Sequence, residues 1–224
     1  MEFTIVNIHG NPEGLARLRS LGARSVPVVA RGGRFVYGLQ LPEVAGLVGK
    51  PYEERAKLSP AQLVEKSRLV LRAVQRYMRQ VPLEGLEMKS PDRDRPLRLL
   101  AFHCFHLTQA FIDAYAKGEM TAGALNGSAG AATMTSGDDI AAYGEGVLQN
   151  LDRWWDEAQS QPFDRWLDTF YGSQTAHELF ERTAWHAAQH QRQILLFLSW
   201  INIVPDGPLT EADLAGLPLP DAVW

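Results

Sequence analysis

The sequence at residues 185–193 reads Trp-His-Ala-Ala-Gln-His-Gln-Arg-Gln and lies within a long stretch of helical periodicity. Its two histidines, His186 and His190, are four residues apart, and residues at this spacing share one face of a helix with Cβ atoms roughly 5–6 Å apart. Two imidazoles at that separation can bind one metal ion. The stretch therefore predicts a long helix that carries half of a metal site.

Apolar residues surround this pair at alternating steps of three and four, so both histidines are expected to point into the protein. The seam consists of Leu179, Thr183, His186, His190, Ile194, Phe197 and Ile201. A buried imidazole without a partner is costly, and one metal ion would satisfy both rings. Two core histidines that bond to Gln, Glu or backbone groups are the alternative.

Helical spacing of apolar residues predicts three more long helices before this one. They begin at Ser59-Pro60, at about Pro96 and at about Asp138, and the last helix spans roughly 174–203. Four long amphipathic helices joined by loops imply a four-helix bundle, here over residues 59–203. The fold class expected is mainly α.

Residues 1–50 have the pattern of a small α/β unit that precedes the bundle. Asn11-Pro12 is a helix start, with Asn as N-cap and Pro in the first turn. Short β-rich runs and a Gly-Gly turn predict three strands. The predicted order is β-α-β-β-α, with strands at 3–8, 25–30 and 35–38 and helices at 11–22 and 41–48.

Three segments are predicted to lack regular structure. Residues 51–58 are a linker, and the proline-rich stretch 204–224 is an extended strap along the bundle. Residues 118–137 are rich in Gly, Ala, Ser and Thr and are expected to bury little. A long loop in a compact domain is either functional, as a lid or binding loop, or a solvated spacer, and both remain open here.

The third ligand is a choice between two histidines on the second long helix. Five of the six histidines lie between residues 103 and 190. On a helical projection His103 falls within the apolar stripe, whereas His106 falls at its edge, so His103 is preferred and His106 is assigned a supporting place beside the metal. His177 lies on the opposite side of its helix from His186 and is not expected to bind the same ion, and His9 is given no role.

Polar neighbours of the histidine pair extend the site. Gln189, Arg192 and Gln193 could orient the ligands or bind an anionic substrate, and the alternative is that they are solvated surface residues. Cys104 is interpreted as a small core residue. Since it is the single cysteine, no disulfide framework is possible within the chain.

Composition excludes several classes of protein. The net charge of −4 gives no electrostatic footprint for nucleic acid. The chain has no apolar window long enough to span a membrane and no signal peptide at its start. The expectation is a soluble cytoplasmic protein.

The histidine pattern resembles that of the DinB-like superfamily, which includes the bacillithiol and mycothiol transferases. That family is a four-helix bundle with one histidine ligand from the second helix and a His-x-x-x-His pair on the fourth. By this resemblance His103, His186 and His190 hold a divalent metal. The resemblance covers roughly residues 59–203 and implies activation of a low-molecular-weight thiol on the metal.

The N-terminal unit resembles the C-terminal part of a glutaredoxin or thioredoxin fold. Ser25-Val26-Pro27 is similar to the cis-proline loop of that family, followed by a hairpin and a helix. The Cys-x-x-Cys motif is missing, which excludes disulfide exchange by this unit. The resemblance implies Val26 and Pro27 as thiol-binding residues and glutathione as the thiol, and the unit could also pair two subunits into a homodimer.

Three histidine ligands leave a coordination position open, as in catalytic zinc sites. The leading hypothesis is a metal-dependent enzyme that uses glutathione for transfer to, or isomerisation or dehalogenation of, a small electrophile. Zinc is expected, with nickel, iron or copper also compatible with three imidazoles. A hydrolase that uses metal-bound water and a non-catalytic metal-binding stress-response protein are the alternatives.

Overall fold

The computed structural model describes the whole chain except Met1, His9, Arg24, Leu39, Glu54, Pro91, Asp92, Trp224 and the side chains of Arg93 and Ser128. His9, for which the sequence predicted no role, thus lies outside the described residues. The chain divides into two compact units, residues 1–55 with 169–173 and residues 56–168 with 174–224.

The first unit contains two helices and a hairpin. Helix α1 spans Pro12–Ser20, strands β1 and β2 span Val28–Arg31 and Arg34–Tyr37, and helix α2 spans Leu41–Val48. The Asn11 side chain caps α1 by accepting a hydrogen bond from the Gly14 N–H. β1 and β2 are antiparallel with Gly32 and Gly33 as the turn, and the Val26–Pro27 peptide bond is cis.

The predicted first strand, residues 3–8, is wrong. These residues have no regular structure, and Phe3 and Ile5 are 76% and 82% exposed. The carbonyls of Asn7 and Ile8 accept hydrogen bonds from Asn11 and so support the start of α1 instead of a sheet. The order in this unit is α-β-β-α, and the second predicted strand begins at Val28 instead of Ser25.

After residue 55 the chain is mainly helical. In chain order the elements are α3 (Pro60–Gln80), α4 (Leu83–Leu86), β3 (Lys89–Ser90), β4 (Arg93–Pro96), α5 (Leu97–Lys117), β5 (Glu119–Met120), α6 (Ala122–Asn126), α7 (Ser128–Ala131), α8 (Gly137–Ala158), β6 (Trp166–Thr169), β7 (Gly172–Thr175), α9 (Ala176–Trp200) and α10 (Glu211–Leu214). The short strands form a β3–β4 pair and a β5–β6–β7 sheet. Sequence periodicity predicted the long helices and missed these strands.

Four long helices form the core of the second unit. Helices α3 and α5 each pack against both α8 and α9. The predicted apolar stripe of α3 is buried along its whole length, as shown by Leu63, Ser67, Val70, Val74, Tyr77 and Val81. Burying one large apolar side chain stabilises the fold by about 1.5–3 kcal/mol, so such stripes hold the helices together. This packing brings α5 alongside α9, the two helices that carry the predicted ligands.

Side-chain caps explain where three of these helices begin. Ser59, Ser136 and Thr175 each form a capping box with the residue three positions later. In such a box two backbone N–H groups at the helix start obtain side-chain acceptors. The predicted starts therefore lie within one or two residues of the observed ones. Among the described helices, no stretch is apolar enough over sufficient length to cross a bilayer.

Residues 118–137 were expected to bury little, and few of the segment's described residues are indeed buried. The segment contains β5, α6 and α7, and these elements pack on α5. Met120 and Ala131 are buried. A Cβ atom at Gly130 would lie 2.6 Å from the Phe102 ring, so the absence of a side chain permits this close approach. Short elements of the segment thus contact α5, while most of its described residues stay exposed or half-buried.

The C-terminal segment runs over α3 and α9. Apart from α10, residues 203–223 have no regular structure. Arg76 donates to the carbonyls of Asp206 and Gly207, and Gln80 donates to that of Val204. Side chains of α9 bind the carbonyls of residues 220–223. The segment is thus held at both ends by side chains of long helices.

Candidate metal centre

Three histidines from α5 and α9 converge at one point. One ring nitrogen from each of His103, His186 and His190 lies within 4.8 Å of the other two. The ring centroids are 5.7 Å apart for His103 and His186, 5.4 Å for His103 and His190, and 4.6 Å for His186 and His190. The predicted trio is therefore close enough to bind one metal ion.

The three rings differ in burial. His190 is only 5% exposed, whereas His103 and His186 are half-buried. The cluster therefore has one buried member, His190, and two members that are partly exposed to solvent. This arrangement suits a metal site with three protein ligands and a fourth position for water or substrate.

Hydrogen bonds define the tautomer of His190. The Nδ1 atom of His190 lies 2.7 Å from Oε1 of Gln193. The Gln193 amide nitrogen donates to the Val223 carbonyl, so its oxygen faces the imidazole. Because an amide oxygen only accepts, Nδ1 of His190 carries the proton and Nε2 presents a lone pair. This is the tautomer needed for metal binding through Nε2.

That lone pair has no partner within the described part of the chain. Nε2 of His190 is buried and accepts no hydrogen bond there. Leaving a buried polar atom unsatisfied costs about 1–3 kcal/mol. A metal ion between the three rings would satisfy this atom, so the residues present fit such an ion.

Two of the imidazoles are held neutral. Burial, followed by the charges of Arg95, His186 and His106, lowers the pKa of His103 to about 3. Burial is also the largest cause that lowers the pKa of His190 well below its ordinary value. At neutral pH both rings therefore offer lone pairs without competition from protons.

His106 does not join the trio. Its Nε2 donates to the Ala124 carbonyl at 2.7 Å, so Nδ1 carries the lone pair and accepts from the Tyr143 hydroxyl at 3.1 Å. Burial raises the pKa of Tyr143 to about 12, which keeps that hydroxyl protonated. Both ring nitrogens of His106 are thus engaged, one with Ala124 of the segment 118–137 and the other with Tyr143 of α8. The predicted preference for His103 agrees with this geometry.

The polar residues next to His186 and His190 form different contacts. Gln193 bonds directly to His190. Gln189 and Arg192 bond to each other and to carbonyls of residues 220–223, so their described contacts are to the C-terminal segment and not to a metal ligand. Of the three predicted residues, Gln193 is the one placed to orient a ligand.

Cys104 is a core residue, as predicted. Its thiol is buried and donates to the Ala187 carbonyl at 3.3 Å. Burial raises the pKa of the thiol to about 12, so it stays protonated and cannot serve as a thiolate ligand. His177 bonds to the Leu58 carbonyl at 2.8 Å and lies outside the trio, also as predicted.

Val26 and Pro27, the predicted thiol-binding residues, belong to the first unit. Both are exposed. The Pro27 carbonyl accepts a hydrogen bond from the Gly38 N–H at 2.8 Å, which joins the loop to the end of the hairpin. The described contacts of this loop are thus internal to its own unit, and they leave its side chains accessible.

Sequence reasoning missed Arg95. This half-buried arginine of β4 contributes a positive charge that acts on His103, Cys104 and His190. It precedes α5 in an Arg-Asp-Arg-Pro run with no helical periodicity. Only the fold brings its charge near the trio, and no local pattern could have indicated this.

No known protein-family model matches this chain, and no curated protein is significantly similar to it. Three converging imidazoles, two of them held neutral, can hold a divalent ion and leave it a position for a substrate.

Proposed function

We propose that the protein is a metal-dependent enzyme that activates a low-molecular-weight thiol for reaction with a small electrophile. His103, His186 and His190 hold the metal, which is most naturally zinc, and glutathione is the thiol. The reaction is transfer to the electrophile, or its isomerisation or dehalogenation. The observation that carries the proposal is the convergence of three imidazoles around the partnerless Nε2 of His190.

A divalent ion in such a site supplies Lewis acidity, which lowers the pKa of a coordinated thiol and makes a nucleophile available at neutral pH. Residues of the chain orient the proposed ligands and keep them unprotonated. Gln193 orients His190, and burial keeps His103 and His190 unprotonated. Cys104 remains a neutral thiol and does not compete for the metal.

The local charges favour a thiol over the hydrolase alternative. The charged groups that act on His103 and His190 are Arg95 and other histidines, and no carboxylate of the described chain is among them. A hydrolase of this kind commonly uses a carboxylate beside the metal as its general base. A thiol is far more acidic than water and would release its proton to solvent on binding the metal. The positive charge of Arg95, which acts on His103 and His190, favours an anionic substrate such as glutathione.

The arrangement of the helices supports the DinB-like relationship as a proposal. One ligand comes from the second long helix and a His-x-x-x-His pair comes from the fourth, the pattern that the resemblance implies. The glutaredoxin-like relationship of the first unit is supported by the hairpin and the helix that follow Pro27. Val26 and Pro27 stay proposed thiol contacts.

Metal analysis and calorimetry test the proposal together. The purified protein should contain about one zinc ion per chain, and glutathione should release heat on binding before chelation of the metal but not after it. His186→Ala should abolish metal binding. His177→Ala is the matched control, since it removes a histidine from the same helix that lies outside the trio. Unchanged metal content in His186→Ala would refute the site, and glutathione binding that survives chelation would refute the thiol role of the metal.

A further inference from the structure

A chain of hydrogen bonds connects the C-terminal segment to the metal site. The Val223 carbonyl accepts from Nε2 of Gln193 at 2.9 Å, and Oε1 of Gln193 accepts from Nδ1 of His190 at 2.7 Å. A carbonyl oxygen can only accept, so its bond to the Gln193 NH₂ group determines which end of the amide faces the histidine. The orientation of Gln193 therefore depends on Val223.

We propose that Gln193 is a positioning residue for the metal ligand His190, and that the backbone of residues 220–223 is part of the metal site because it holds Gln193 in place. This inference rests on the metal-binding part of the proposed function and not on the thiol chemistry. Val223, which holds Gln193, lies 30 residues from it along the chain.

The segment is held at several points. Gln189, Arg192 and Gln193 share one face of α9, as expected for residues three and four apart. Arg192 donates to the carbonyls of Pro220 and Asp221 at 2.7 and 3.0 Å. Gln189 donates to those of Ala222 and Val223 at 3.2 and 2.6 Å. Each of four successive carbonyls thus has a side-chain donor, which fixes the position of Val223.

Holding Gln193 matters because its side chain is flexible. Ordering a glutamine side chain costs rotamer entropy, and a second hydrogen bond at the amide nitrogen offsets part of this cost. With Gln193 fixed, Nδ1 of His190 has a constant acceptor and Nε2 stays available for the metal. Loss of a supporting contact of this kind typically weakens metal binding about 10- to 100-fold.

Zinc titration with a competing chelator tests the role of Gln193. Gln193→Leu should bind zinc about 10- to 100-fold more weakly than wild type. A chain without residues 221–224 should also lose affinity, because Gln193 then lacks the Val223 carbonyl. Gln80→Leu is the matched control, since Gln80 also binds the segment, through Val204 and Asp206, but does not contact a metal ligand. Its zinc affinity should not change.

A second measurement separates positioning from general stability. In metal-free protein, two-dimensional ¹H–¹⁵N spectra of the histidine rings report which nitrogen carries the proton. Wild type and Gln80→Leu should show His190 protonated at Nδ1, whereas Gln193→Leu should show a mixture of tautomers. Protonation of wild-type His190 at Nε2, or zinc affinity in Gln193→Leu equal to that of wild type, would overturn the inference. If wild type binds no zinc, the proposed function fails, while the ring spectra still decide the role of Gln193.

Discussion

The thiol of Cys104 on α5 donates to the Ala187 carbonyl on α9 at 3.3 Å. Cys104 directly follows His103, and Ala187 directly follows His186, so the contact lies next to two of the proposed metal ligands. The contact joins the two helices that carry the trio, and it places the thiol in the core beside His103 and His186. Because burial raises its pKa to about 12, this cysteine contributes packing and not reactivity.

We therefore expect Cys104 to resist alkylation in the folded protein. At about pH 8 an ordinary cysteine with a pKa near 8.5 is substantially thiolate and reacts readily. Cys104 should react with iodoacetamide only after denaturation, as measured by mass spectrometry. Modification of the native protein at the rate of an unfolded control would contradict the burial of this thiol.

Gly137→Ala should destabilise the protein strongly. A Cβ atom at Gly137 would lie 1.9 Å from the Met78 carbonyl oxygen, so backbone would have to move between α8 and α3. Overpacking of this kind costs about 1–3 kcal/mol or more, measurable as a lower free energy of unfolding in urea.

Gly146→Ala on the same helix is the control for Gly137→Ala. A Cβ atom there meets no described atom within 4 Å. Replacing glycine by alanine within a helix stabilises it by about 0.5–1 kcal/mol. Equal losses of stability in the two variants would show that the close approach at Gly137 is not the cause.

Gly130→Ala should loosen the segment that covers α5. The added Cβ atom would lie 2.6 Å from the Phe102 ring, which contacts both His106 and Tyr143 and has little room to move. Hydrogen exchange of amides in residues 121–131 should become faster, with a loss of about 1 kcal/mol or more in stability. In Gly123→Ala the new atom is 3.9 Å from its nearest neighbour, so exchange should stay as in wild type.

The metal-free protein should lose stability as the pH falls below 6.5. The pKa of His103 is lowered from 6.5 to about 3 in the folded state, so between these values the unfolded chain binds a proton that the folded chain does not. Each such histidine lowers the free energy of unfolding by about 1.4 kcal/mol per pH unit. Urea denaturation in the presence of a chelator at several pH values measures this slope.

His103→Gln supplies the comparison for the pH prediction. It removes one of the two strongly shifted histidines, and His190 remains. Between about pH 6 and pH 4, the difference in bound protons between the unfolded and folded states should therefore be smaller by one. The free energy of unfolding should then fall less steeply with decreasing pH. Identical slopes in variant and wild type would mean that His103 is protonated in the folded state.

The long helices and the histidine trio were predictable because their signals are local. The stripe through Leu63, Val70 and Tyr77 shows helical spacing, and Ser59 begins its helix with a capping box. The choice of His103 over His106 needed only a helical projection. Within each helix the deciding residues lie a few turns apart, and the expected four-helix bundle accounts for the meeting of His103 with the pair on α9.

The remaining features depend on contacts that are distant in sequence. Residues 3–8 have the composition of a strand, but a strand also needs a neighbouring strand to pair with. Here Asn11 donates hydrogen bonds to the carbonyls of Asn7 and Ile8 instead. The partner of Gln193 lies 30 residues later, in a proline-rich segment without periodicity. Arg95 likewise acts on the trio only through the fold.

The way α9 holds residues 220–223 has a consequence for sequence variation. Every described contact that Gln189, Arg192 and Gln193 make with this segment is to a backbone oxygen. The residue types at positions such as 221 and 222 can therefore vary among homologous chains without loss of these hydrogen bonds. An insertion or deletion between α10 and Val223 would instead shift the register of the carbonyls, so spacing and not residue identity is what selection should preserve here.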